Sequence, residues 1–503
     1  MQHVLVVDVG TSSLKSMLYT EKGDLLFRAG QSYDSIFGHE NDVEQDPQTW
    51  NSALVNTLTK AGEYCGDKGI AVDAIIVTSQ RASVIPMSRD GEPLYNAVMW
   101  QDKRALKQCE KLLERFTLQD MYHRTGLRVN PYFSVPKMMW LRDNRSEIFN
   151  SAHKLIGVQD YVAFLLTGKY ATDVSQACRT MLMNIRTSAW DKDMLDASGI
   201  STDLLPELVP SGSQVNVLTD KLAAQVGLKS GIPVYLGGGD QQCAALSLGI
   251  LGPGEAEANT GTGSFVIAYA EQPHFHPDCT TLCSASAMPG KWIVEAGIFT
   301  TGLVHRWFKE NFYPDTEDAY DIMNREAESS PIGANGVMMP PHFEGSAAPY
   351  WNPRAKGMFF NITMATRRAD MARAVIEGIS LEIGHNLELL QSLGVPVERV
   401  SVAGGLTTLD TFNQIQADVF NKRVIRYENN EASSLGALMS ACVSMGIYSD
   451  YTRAFEGIVT SEPRIFEPQT EAVNKYKTVM HRKKRLYDAL NKSETYDLFS
   501  AAI

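Results

Sequence analysis

The sequence predicts a mixed α/β protein built as two related domains, and three observations carry that expectation. The first is an apolar run, Val4-Leu5-Val6-Val7, that ends in Asp8-Val9-Gly10-Thr11-Ser12-Ser13 and is followed by a second strand-like stretch, Lys15 to Tyr19. The second is a comparable phrase far downstream. Ile232 to Leu236 runs into Gly237-Gly238-Gly239-Asp240-Gln241, and Asn259-Thr260-Gly261-Thr262-Gly263-Ser264 then leads into Phe265 to Tyr269. The third is the alternation of short β-rich runs with helical periodicity along the chain. A buried strand, a turn of Gly, Thr and Ser, and an acid at the strand end suit phosphate. Small residues let backbone amides reach phosphate oxygens and hydroxyls add donors. The acid can hold a metal ion or take a proton. Two such halves suggest two related domains facing one nucleotide.

The totals agree. A chain of 503 residues has room for two large domains. Hydrophobic residues at 44% and charged ones at 21% are an ordinary globular composition. The net charge of -12 argues against a general nucleic-acid or membrane-surface binder. It does not argue against ATP, because local amides and Mg²⁺ bind that ligand. The N-terminus enters a strand directly, with no basic and apolar leader, and no apolar stretch is long enough to span a bilayer. A cytosolic protein is expected. Seven scattered cysteines, an odd number, argue against a disulfide framework.

The elements follow from local signals. Asp46-Pro47 reads as an N-cap with proline at the first helical position, and Trp50, Ala53, Leu54 and Leu58 supply the apolar face. Ala74 to Val77 is a short buried strand ending at Ser79-Gln80-Arg81. Asp370 is expected to cap a helix carrying Ala372, Val375, Ile376, Ile379, Ile383 and Leu387, with Gly394 ending it. Val400-Ser401-Val402 is the next strand and runs into Gly404-Gly405. The helix after it carries Phe412, Ile415, Val419 and Phe420. The domain boundary is placed near residue 250, where Gly249 to Gly254 holds three glycines and a proline, and a second crossing near residue 450. Ala472 to Lys492 is a basic helix whose expected role is a solvated face.

Phosphoryl transfer needs cradled phosphates, a bridging metal, an in-line acceptor hydroxyl and a base for its proton. Asp8 to Ser13 suits the cradle, and Lys15 adds charge. No Walker-type Gly-x4-Gly-Lys-Ser/Thr occurs, which disfavours a P-loop enzyme. Each turn alone is weak evidence. The pairing of both turns with Gly237 to Gln241 is much stronger.

With those residues in place, the chain resembles the FGGY family of carbohydrate kinases, on the actin-like (ribonuclease H-like) ATPase fold, over essentially its whole length. Asn96 to Arg104 (NAVMWQDKR), Arg124 to Ser134 (RTGLRVNPYFS), Arg179 to Ile185 (RTMLMNI) and Ala348-Pro349-Tyr350-Trp351 are similar to glycerol kinase. Gly237 to Gln241 and Gln414 to Val419 (QIQADV) are more similar to xylulokinase and other sugar kinases. The resemblance implies two domains with a cleft between them, residues 1–250 for sugar and phosphate and residues 251–503 for nucleotide. It implies ATP and Mg²⁺ as cofactors and a polyol or ketose of three to five carbons as acceptor. By it, Asp240 is the general base and Asp8 organises the Mg²⁺. Gly10, Thr11, Ser12, Ser13, Lys15, Gly261, Thr262, Gly404 and Gly405 serve the nucleotide. Arg81, Trp100, Tyr132, Asp240, Gln241 and Phe265 form the acceptor pocket.

The chain also departs from the family's patterns. Glycerol kinase carries a Glu after the arginine, where this chain has Ala82, and xylulokinase has Met-His in place of Arg81-Ala82. Asp102, in Trp100-Gln101-Asp102, resembles the Trp-Asn-Asp of pentulose kinases and is a candidate contact for a longer substrate; the alternative is a helix-start Asp. Ala82 would open volume beside Arg81 and favour four- or five-carbon acceptors over glycerol, unless a water replaces the missing carboxylate. Leu406 and Leu409 stand where the family has a small residue and glycerol kinase an Asn. His274, His276, Cys279 and Cys283 fit no standard zinc spacing and read as a loop leading into a strand. Tyr350-Trp351 reads as packing. The competing class is an actin-like ATPase without a sugar substrate, which would need no pocket of Arg81, Trp100, Tyr132 and Phe265. The oligomeric state is left open, a homodimer included.

Overall fold

The run Val4–Val7 is apolar at every position because its strand is covered on both faces. Leu5, Val7 and Val9 pack on one side with Trp50, Leu54, Ile75 and Val77. Val4 and Val6 pack on the other with Ile76, Leu246, Leu438 and Ala441. The computed structural model describes residues 1–38, 42–314, 316–428 and 431–499. It divides into a first unit of Met1–Leu251, Glu271–Ile293 and Asn429–Thr460, and a second of Gly252–Ala270, Val294–Glu428 and Ser461–Ile503.

The first unit is built on a six-stranded sheet in the order Gln214–Val217, Pro233–Gly239, Ala74–Ser79, His3–Val9, Ser13–Thr20, Leu25–Ser32. Pro233–Gly239, Ala74–Ser79 and His3–Val9 are mutually parallel; the flanking strands are antiparallel. The helix Pro47–Lys68 is capped by Asp46, which accepts from Gln48 N, and buries the predicted Trp50, Ala53, Leu54 and Leu58. The helix Ala432–Ser444 packs against the helix Asp240–Ser247 at Gly436, where a Cβ would overlap the Cys243 carbonyl oxygen.

The second sheet has seven strands, in the order Arg464–Phe466, Arg423–Arg426, Val397–Ala403, Gly254–Thr260, Ser264–Ala270, Trp292–Ile298, Leu282–Ala285, the first six arranged as in the first sheet. Gly254–Thr260 and Ser264–Ala270 form the antiparallel pair that corresponds to the first unit's His3–Val9 and Ser13–Thr20. The repetition expected from the motifs is therefore a repetition of sheets, with one correction. Asp240 follows a strand of the first unit, and the position matching Asp8 in the second hairpin is Asn259.

Two further expectations are corrected. Asp370 is not the cap of the helix Arg368–Ser392 but its third residue, accepting from Arg367 N. The basic helix Thr470–Lys492 is not only a solvated face. Tyr476, Met480, Lys483 and Tyr487 are buried at helical spacing, and Lys483 pairs with buried Glu382 at 2.5 Å. Tyr350 packs as expected, stacked on Tyr487 with ring centroids 3.5 Å apart. All seven cysteines are buried thiols outside any disulfide.

Candidate active site

The three parallel strands of the first unit end side by side, with Val9 in register with Ser79 and Ser79 with Gly239. Functional groups gather beyond the carboxyl ends of such strands, where the chain leaves the sheet. Arg81 and Asp240 both sit there. Arg81 Nε lies 3.6 Å from Asp240 Oδ1, and Arg81 Nη1 donates to Gln242 Oε1 at 3.1 Å. Gly239 makes this approach possible: a Cβ there would come within 2.5 Å of Gln242 Oε1 and 2.6 Å of Arg81 Cδ. Asp240 opens its helix, and its Oδ1 accepts from Gln241 N at 2.7 Å. Burial raises the Asp240 carboxyl above its usual range, against the guanidiniums of Arg81 and Arg179. Beside it, Gln241 Oε1 is buried with no hydrogen-bond partner among the described residues, an acceptor suited to a ligand hydroxyl.

Asp8 stands one residue from the end of the first strand. Burial foremost, then the charges of Asp240 and Glu431, push its carboxyl up to about 7, while Lys15 and the Ser434 hydroxyl pull the other way. The turn after it is held from several sides. Tyr33 Oη donates to Gly10 O at 2.6 Å, Gln45 Nε2 to Thr11 O at 2.6 Å, and Gly10 N to Ser13 O at 2.9 Å. Ser12 is exposed and Ser13 begins the second strand. Lys15 is paired with Glu431 at 2.9 Å, which Arg28 also holds.

Trp100 links this turn to an aromatic wall. Its Nε1 donates to Thr11 Oγ1 at 3.2 Å, and its ring packs on Tyr132 with centroids 5.4 Å apart. Asp102 does not join them. It is fully buried, both oxygens are taken by Arg104, and Oδ2 also accepts from Val43 N at 2.7 Å. The expected substrate contact is corrected on that ground: an acid already ion-paired and desolvated has no face left for a ligand. Its helix-start alternative fails too, since the next helix begins at Leu106. Ala82 is buried, and the cavity of about 20 Å³ that it lines with Ser134, Met138 and Leu155 is lined by none of Arg81, Trp100, Tyr132, Asp240 and Gln241.

Phe265, Gly261, Thr262, Gly404 and Gly405 belong to the second unit. Phe265 is 39% exposed. Gly261, Thr262 and Gly405 line a cleft of about 480 Å³, together with Leu406 and Leu409. Gly404 adopts φ 98°, and a Cβ there would overlap the Thr260 carbonyl; at Gly405 a Cβ would meet nothing within 4 Å. His305, its pKa lowered to about 4 by burial, stacks on Tyr320 at 5.4 Å in the same cleft.

Family profiles described as the N-terminal and C-terminal domains of the FGGY family of carbohydrate kinases match residues 3–247 and 256–445. The chain belongs to the FGGY family of carbohydrate kinases. It is 29% identical to a xylulose kinase of Bacillus subtilis over 487 residues, 97% of each chain. It is 32% identical to a glycerol kinase of Thermococcus gammatolerans over 481 residues, 93% of this chain and 94% of that one. A crystal structure of Plasmodium falciparum glycerol kinase with ADP superposes with TM-score 0.90 at 26% identity, covering 97% of this chain and 98% of that one. The protein is thus a kinase acting on a sugar or polyol, on the two-domain fold of that family.

Several groups in this FGGY site were not singled out from sequence. Glu431 and Ser434 reach the first turn from more than 400 residues away, and no local pattern announces them. Arg179 lies over the Tyr132 and Phe133 rings at 5.6 and 5.1 Å and donates to Ser284 Oγ at 2.9 Å. The Gly237–Gly239 strand is pinned by Gln159 Oε1 and Ser175 Oγ, which accept from Gly238 N and Gly239 N, both anchored on buried Asp173. A signal was available for Lys137, a lysine in the first turn of a helix, where the dipole disfavours a cation.

Proposed function

We propose that this enzyme transfers the γ-phosphoryl group of Mg·ATP to a hydroxyl of a polyol or ketose of three to five carbons, with Asp240 as general base. The observation that carries the reading is the group at the strand ends: a raised Asp240 carboxyl beside Arg81, next to the unmet Gln241 acceptor. Arg81, Gln241, Trp100 and Tyr132 bind the acceptor, the aromatic rings against C–H groups and the polar groups against hydroxyls. Phe265, on the second unit, is proposed as a further acceptor contact. Asp240 takes the acceptor proton as the new O–P bond forms and the bond from the γ-phosphorus to the bridging oxygen breaks, leaving ADP.

Among the described residues no group of three or more His, Cys, Asp or Glu could hold a metal by itself. That fits Mg²⁺, which keeps water and phosphate ligands and needs only one or two carboxylates. Asp8, crowded by the charge of Asp240, is the residue suited to hold it. When bound, the ion neutralises charge on the transferring phosphates. Gly10 to Ser13 and Lys15 serve the phosphates, and the second-unit cleft serves the nucleoside. No described helix is long and apolar enough to cross a membrane; a cytosolic location is part of this proposal.

The test is ATP turnover with a panel of glycerol, erythritol, erythrulose and xylulose. Stimulation by at least one is expected; ATPase activity indifferent to all four would overturn the three- to five-carbon polyol or ketose as acceptor. Two second-unit variants test the nucleotide cleft. Gly405→Val projects into open space, so KM for ATP should rise about tenfold or more with Tm unchanged. Gly404→Ala must hold φ 98°, ψ 170°, a region essentially reserved to glycine that costs roughly 1–3 kcal/mol, and must accept a backbone overlap, so its Tm should fall. Equal effects of the two on Tm would remove this distinction.

A further inference from the structure

Lys137 is fully buried in the first turn of the helix Ser134–Asn144. Its ammonium donates to three main-chain carbonyls: Tyr132 O at 2.5 Å, Phe133 O at 3.0 Å and Ala82 O at 3.3 Å. Both ends of this bridge belong to the acceptor site. Ala82 follows Arg81, which meets Asp240, and Tyr132 packs on Trp100. Ala82 also has φ 68°, a left-handed conformation that a residue with a Cβ rarely adopts. Strain of this kind persists only where the surroundings over-determine it. Among the described residues no carboxylate forms a salt bridge with this ammonium, and a buried charge held that way is costly and needs a reason. Desolvation lowers its pKa to about 7, with Asp102 and Cys109 as the groups that oppose the shift.

We infer that Lys137 is a positioning residue for the phosphoryl acceptor. It clamps the strained Ala82 turn to the Tyr132–Phe133 turn and so sets the spacing between Arg81 and the aromatic wall. The inference rests on the acceptor-site assignment made above. The clamped atoms belong to the Ala82 and Tyr132–Phe133 turns, which that assignment gives to the acceptor, whereas the cleft assigned to the nucleoside is lined by second-unit residues, so loss of the clamp should be felt more by the acceptor than by the nucleotide. It also explains a lysine where the helix dipole disfavours one: three convergent carbonyls outweigh the unfavourable end.

The test compares wild type, Lys137→Gln and Lys137→Met. Gln keeps an amide donor; Met keeps the volume and no donor. The expected order of acceptor KM is wild type, then Gln, then Met, with Met raised roughly tenfold or more and KM for ATP within about twofold throughout. Acceptor and ATP KM rising together, or neither moving in a soluble variant, overturns the clamp. If the Met variant fails to fold, the Gln variant carries the test, with hydrogen–deuterium exchange as a second readout. Exchange should quicken around residues 82–84 and 130–134 and stay unchanged in second-unit peptides; unchanged exchange at both turns overturns the inference. Wild type that phosphorylates no acceptor in the panel defeats the acceptor assignment itself, while the exchange experiment still decides whether the clamp exists.

Discussion

Asp240→Asn is expected to lower kcat roughly 10²–10⁴-fold while leaving KM for ATP nearly unchanged. Asn keeps the size and the hydrogen bond from Gln241 N but cannot take a proton, so the loss falls on the chemical step. Asp240 does not line the second-unit cleft proposed for the nucleoside, so ATP binding there should change little. A pH profile adds an independent check. The base must be ionised, and burial raises its pKa. Activity should therefore fall on acidification through a limb above the ordinary carboxylate range, about 4. A variant with near-normal kcat, or a wild-type limb at the ordinary value, removes Asp240 from this role.

Asp8→Asn is expected to lower activity on the order of 10²-fold and to make the residual rate respond less to Mg²⁺, since several kcal/mol of charge stabilisation depend on the ion's anchor. The same substitution should make the fold more stable. The Asp8 carboxyl is raised from 3.8 to about 7, so the folded state binds the proton more tightly than the unfolded one. Stability is then fully present below the unfolded value and is lost as pH rises through about 7. Replacing a buried charge by a neutral amide removes that loss, so Tm should rise at pH 8 and change little at pH 4. For a unit of this size each kcal/mol moves Tm by about 2–4 °C. An inactive variant with lowered Tm at pH 8 would instead mark Asp8 as structural. Normal activity with unaltered Mg²⁺ dependence would falsify the metal assignment.

Much of this was legible because it is local. The strand ending at Val9, the helix opened by Asp46-Pro47 and the helix through Phe412 and Ile415 follow from periodicity and caps, which act over a few residues. The glycines around Gly237–Gly239 and Gly404 were legible for the same reason: a position that tolerates no Cβ leaves a mark on composition. Asp102 misled because its motif is correct while its environment is not. Only the packed structure shows Arg104 holding both of its oxygens.

By itself the sequence determined the α/β class, the repeated strand–turn unit, the likeness to a kinase family and the residue types that meet the chemistry. Tertiary structure alone decided which of them meet. It put Arg81 3.6 Å from Asp240, took Asp102 out of the site and joined Ala82 to Tyr132 through Lys137. It also carried Glu431 and Ser434 to the first turn from the far end of the chain. The reason is physical. Backbone preference and hydrophobic period are short-range properties written into neighbouring residues. Burial, ion pairing and the pKa shifts they cause depend on distances between residues that the chain brings together only when both faces of a sheet are covered.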